Sequence, residues 1–183
     1  MRSTFAVILG VLAVGLLAST PVCADPTWTD CILTVHGMTE TVKLTPSYEA
    51  SGSGWIYTYV LTNTSDPYRV EITAFTLTLP TAAPVSSCTE LEHPAGWQVT
   101  IRTMFNQLDW NNVSGNDIAY GQTGTFKFST AFGPSSDKPG MASSQDALGF
   151  SGKSYAPVPE PASFVALLAG IGGLVGLRRR RTA

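Results

Sequence analysis

Residues 55–62 read WIYTYVLT, and Trp55, Tyr57, Tyr59 and Leu61 fall on every second position. Side chains of a strand point alternately to its two faces, so this spacing lays four large apolar groups on one side and predicts a strand with a buried face. Ile56 and Val60 lend the other face apolar character, which predicts a central place in a sheet. Asn63, Thr64, Ser65, Asp66 and Pro67 supply the turn chemistry that ends it.

The period of two recurs along the chain. Cys31, Leu33 and Val35 share one parity within residues 27–36, and after Gly37 the pattern resumes with Val42 and Leu44, predicting a hairpin. Residues 69–79 change parity from Val70 and Ile72 to Phe75, Leu77 and Leu79, which an extra residue near Thr73 or Ala74, or a crossing between sheets, explains. Trp97, Val99 and Ile101 alternate with polar residues, a short strand is expected over 108–112, and Phe126 and Phe128 alternate with Lys127 and Ser129. Residues 48–54 read as a Ser/Gly loop, 80–94 as an irregular connection holding Cys88, and 133–157 as a loop grading into a linker. No run of the body carries a helical apolar stripe. The expectation is an all-β body at residues 25–140, an antiparallel β-sandwich of two sheets with a β-barrel as the alternative, followed by a flexible linker at 141–157.

The N-terminus has a different chemistry. Arg2, an apolar run from Phe5 to Ala18, and small residues at Val22 and Ala24 compose a signal peptide over residues 1–24, which implies the Sec translocon and signal peptidase as partners. Cleavage after Ala24 removes Cys23 and leaves Cys31 and Cys88. An even pair in an oxidising compartment predicts one disulfide, Cys31 to Cys88. The alternatives are two free thiols and a Cys₂His₂ zinc site with His36 and His93. The zinc site meets the objection that Cys31 and His36, five apart on a strand, face opposite sides, so no metal and no cofactor are expected.

Between Asp25 and Val158 there are six basic residues against twelve acidic ones, a net charge of −6. Such a body lacks the basic stripe that neutralises phosphates, which excludes nucleic acid as a partner. Motifs for a serine nucleophile elbow, a zinc protease or a phosphate loop are absent from the sequence, and an enzyme is not expected. A carbohydrate contact is the chemical alternative, because sugar rings stack on flat aromatic faces. Trp110, beside Asp109, Asn111 and Asn112, is the tryptophan whose neighbours predict exposure.

The last 26 residues, 158–183, bring together Val158-Pro159-Glu160-Pro161, an apolar run at 164–177, and Arg178, Arg179, Arg180 and Arg181. With Ala162 and Ser163 the apolar segment is 16 residues, roughly 24 Å of helix against a hydrocarbon core of about 30 Å, so residues 162–177 span with local thinning and snorkelling arginines. The arginines stay cytoplasmic by the positive-inside rule, which puts the body outside. The prolines at 157, 159 and 161 keep the backbone extended and hold Glu160 just outside the membrane.

In motif, order, spacing and terminal position these residues resemble the PEP-CTERM sorting signal of Gram-negative bacteria. The resemblance implies that an exosortase recognises Val158, Pro159, Glu160 and Pro161 and processes the chain near them. It implies export through the inner membrane, a transient anchor at 162–177, and a place on the outer surface or outside the cell, associated with exopolysaccharide and biofilm.

Overall fold

The computed structural model describes residues 27–34, 41–65, 71–145 and 149–158. The expected signal peptide (1–24), transmembrane segment (162–177), residues Pro159 to Pro161, the four arginines and His36 lie outside the described residues.

The strands in chain order are β1 (Cys31–Thr34), β2 (Thr41–Ser51), β3 (Gly54–Asn63), β4 (Ala74–Thr78), β5 (Thr89–Glu92), β6 (Trp97–Arg102), β7 (Gln107–Asn112), β8 (Thr123–Thr130), β9 (Gly133–Pro134), β10 (Gly140–Gln145), β11 (Phe150–Ser154) and β12 (Pro157–Val158). Among the described residues ten of them form one antiparallel sheet in the order β5-β8-β3-β2-β1-β11-β10-β4-β7-β6, and β12 pairs with β9. The all-β class is as expected, and β3 is central, between β2 and β8.

The sheet curls on itself. In the strand order Trp97 of β6 stands eight places from Phe126 of β8, about 38 Å away in a flat sheet, yet their ring centroids are 5.3 Å apart. Phe75 and Trp110 also meet Phe126, at 4.9 and 5.4 Å. One core fills the interior, with Tyr57, Tyr59, Phe75, Trp110, Phe126, Phe128 and Phe150 buried. The result is a nearly closed barrel whose ends β5 and β6 do not pair. The two-sheet sandwich is thereby corrected: β1 bonds both β2 and β11, so the halves are joined by a continuous ladder.

Three further expectations change. Residues 141–157 are not a linker, because β10 and β11 stand in the middle of the sheet and carry buried Ala142, Ser144, Phe150 and Ser154. Their small residues hid them, and the crowding explains the small residues: a Cβ on Gly152 would lie 2.8 Å from the Ile32 carbonyl oxygen. Residues 48–51 extend β2, leaving only Gly52 and Ser53 as a tight turn. Pro46 is tolerated in β2 because β1 pairs no further than Cys31 with Leu44, so beyond that point this side of β2 has no partner strand needing an N–H. Within residues 80–94 the chain forms a 3₁₀ turn, Val85–Ser87, and the edge strand β5.

The parity change at Thr73 is a break in the ladder. Ile72 bridges Ile118, whereas Phe75 pairs with Trp110, and both Ile72 and Phe75 are wholly buried.

Candidate functional site

At the end of the sheet where β2 turns into β3, three segments enclose a polar cleft of about 230 Å³. The β2–β3 turn gives Ser51, Ser53 and Trp55, the end of β8 gives Ser129 and Thr130, and β5 gives Thr89 and Glu90. The walls are close: a Cβ on Gly54 would stand 2.7 Å from the Thr130 carbonyl oxygen, so glycine is what lets the turn sit against β8. Glu90 has φ +50°, and the register of β5 on β8 shifts between Thr89 and Glu92. This irregularity at the sheet edge places the Glu90 carboxylate where it accepts a hydrogen bond from Ser129 Oγ. Glu92 goes instead to Lys127, 3.0 Å away. The cleft thus presents hydroxyls that both donate and accept beside one carboxylate that accepts. The arrangement can exchange hydrogen bonds with the hydroxyl groups of a ligand.

Trp110 is not part of any surface. It is fully buried, stacked on Phe75 at 5.4 Å and packed against Phe126, because β7 and β4 pair Trp110 with Phe75 on the inward face. The polar neighbours that predicted exposure are accounted for otherwise: Asp109 is covered by its ion pair with Arg102, and the Asn112 carboxamide donates to Asp117 while its oxygen accepts from the Ser114 N–H. The expected carbohydrate contact at Trp110 is therefore corrected. Trp55, at the cleft, is the half-buried tryptophan that sequence reasoning assigned to the core.

Cys31 and Cys88 are both buried and both free, which corrects the expected disulfide. Each behaves as a small apolar group in the core. Cys31 Sγ is directed to the Thr29 carbonyl at 3.8 Å. Burial pushes the Cys88 thiol up to about 12, with a hydrogen bond involving Ser87 opposing the rise. Tyr59 is raised well above the ordinary phenol range, first by burial and then by Tyr57 and the two cysteines. Tyr57 is raised too, first by burial and then by Tyr48 and Cys88.

The same end of the barrel holds both ends of the described body. Trp28 Nε1 donates to the Ser135 carbonyl at 2.8 Å, and its ring stacks on Tyr155 at 5.1 Å with Lys138 Nζ on that tyrosine at 5.1 Å. Tyr57 OH donates to the Phe132 carbonyl at 2.7 Å, and the Ala156 N–H donates to Ser135 Oγ at 3.4 Å. Val158, the first residue of the Val-Pro-Glu-Pro stretch, pairs with Gly133. That stretch therefore begins within the last strand.

No protein-family model matches this chain, and no curated protein matches it.

Proposed function

We propose that this chain is an exported surface or extracellular-matrix protein with a non-enzymatic, structural role, sorted through Val158, Pro159, Glu160 and Pro161 by an exosortase and linked to exopolysaccharide and biofilm. One observation carries the reading: the Pro-Glu-Pro motif, the apolar run at 164–177 and Arg178 to Arg181 follow one another directly after an acidic β body. The pairing of Val158 in β12 supports it, because a body that ends at the motif leaves the motif next to the membrane segment. Residues 162–177 anchor the precursor, and processing near the motif frees the body. Mass spectrometry of the protein from its native host tests this. Wild type should lack residues 1–24 and the C-terminal segment, while Glu160→Ala and Pro161→Ala should accumulate as full-length, membrane-retained protein. Unchanged processing in both variants rejects the sorting role.

The cleft favours a second reading, a carbohydrate-binding module displayed at the surface. Its hydroxyls and the Glu90 carboxylate match the alternating donors and acceptors of a saccharide. Retention on the producer's polysaccharide should fall in Glu90→Gln and Ser129→Ala with the fold intact. Equal retention of wild type and both variants discards this site.

A further inference from the structure

We propose that the end of the barrel from which the C-terminal tail leaves seats on the membrane, with Met104 and Phe105 entering the lipid interface. This rests on the reading of residues 162–177 as membrane-embedded.

Met104 is 88% exposed and Phe105 58%, side by side in the 3₁₀ turn Thr103–Phe105 that joins β6 to β7. Ile101 and Met141, also exposed, lie at the same end. The turn is not loose. Asn106, at φ +54°, closes it and donates from Nδ2 to the carbonyls of Leu79, Pro80 and Ala83 at 2.9–3.1 Å, while its Oδ1 accepts from the Val85 N–H at 2.7 Å. Two large apolar side chains are thus held in water by a rigid support, an arrangement suited to docking.

The charge pattern agrees. In a body of net charge −6, residues 79–88 carry no charged side chain, and on the β6–β7 hairpin Arg102 is paired with Asp109. The tip and the loop it is pinned to therefore offer no unpaired carboxylate to an anionic lipid surface.

The tip and the last described residues lie at the same end of the barrel. Gln107, beside the tip, pairs with Thr78, and Thr78 pairs with Met141. A Cβ on Gly140 would stand 2.8 Å from Ala156 Cβ and 3.0 Å from the Thr78 carbonyl oxygen, so the strand ends meet the chain that leads to Val158. Four residue steps separate Val158 from Ala162, at most about 14 Å when fully extended. A body of this size has a radius of gyration of about 14 Å. The uncut tail is too short to let the body turn its exit end away from the bilayer. The cleft lies at this end too, on the β3–β8–β5 side, and the tip lies on the β7–β6 side.

The test uses the exported, uncut precursor, residues 25–183, which lacks Cys23, in phosphatidylethanolamine/phosphatidylglycerol vesicles, with a nitroxide on Met104→Cys or, at the opposite end of β7, on Val113→Cys. Wild type treated alike reports any labelling of the buried Cys31 and Cys88. Both substituted side chains are exposed, and circular dichroism checks that the fold is kept. The expected result is co-flotation with vesicles and an oxygen-to-nickel-chelate accessibility ratio several-fold higher at 104 than at 113. Flotation with equal, water-like accessibility at both positions overturns the seat and leaves the membrane tail standing. Failure to float removes the tail reading and the seat with it. Spin–spin broadening at 104 that disappears on dilution with unlabelled protein assigns the tip to a contact between copies and also overturns the proposal.

Discussion

The Tyr59 hydroxyl, in the middle of the sheet, donates a 3.0 Å hydrogen bond to the carbonyl of Tyr155, three residues before the end of the last strand. The bond is wholly buried and joins positions 96 apart in sequence, so it ties the exit of the chain to the core. Ser154 Oγ also donates to that carbonyl, at 3.1 Å. Tyr59→Phe therefore removes one of two partners and does not orphan the acceptor. Its cost should be about 1 kcal/mol, the usual net contribution of one hydrogen bond, seen as a lower urea midpoint with an unchanged slope.

Asn106 holds the β6–β7 turn by both its side chain and its left-handed backbone. Asn106→Ala loses both contributions, and Asn106→Gly loses only the side-chain bonds. Each variant should be destabilised by about 2 kcal/mol for the freed carbonyls and N–H, with alanine worse than glycine by about 1 kcal/mol. Equal stability of the two in urea denaturation would show that the backbone conformation is unstrained.

Trp110→Ala should lower stability by about 3–5 kcal/mol, because it empties the space between Phe75 and Phe126. Trp110→Phe should cost less, since the indole Nε1 is buried without a hydrogen-bond partner and its removal forfeits none. Thermal unfolding of the two variants measures the difference. A Trp110→Ala protein as stable as wild type would contradict the burial.

Stability should fall on the alkaline side. The fold favours the neutral Cys88 thiol, whose pKa rises from 9.0 to about 12. The stabilisation this contributes is complete below about pH 9 and is lost as pH climbs toward 12. Tyr57 and Tyr59, raised from 10.0, act in the same direction. The urea midpoint should be lower at about pH 10.5 than at about pH 8, and a thiol reagent at about pH 8 should modify Cys31 and Cys88 only once the protein is unfolded.

The strands legible in the sequence are those in which large apolar groups alternate with polar ones. Trp55, Tyr57, Tyr59 and Leu61 in β3, Phe126 and Phe128 in β8, and Trp97 in β6 all face the core, fully or in part. The strands that were not legible are the ones the interior keeps small. Apart from Phe150, β10 and β11 face it with Ala142, Ser144, Gly152 and Ser154, and neither composition nor periodicity separates such residues from a linker. The polar cleft was equally hidden, because Ser51, Glu90 and Ser129 come from three strands and acquire a common purpose only through the registers of β2, β3, β5 and β8.

By itself the sequence determined the class of the body and the character of its ends. The period of two requires a sheet, and the proline motif, apolar run and arginines are local chemistry that needs no fold to be read. Tertiary structure alone decided that ten strands close around one core, that Trp110 lies inside it, that two cysteines are buried as free thiols, and that an apolar tip stands at the same end of the barrel as the last strand. Each of these depends on which strands become neighbours and how far the sheet curls. Those are properties of long-range pairing, which the pattern along a single strand does not contain.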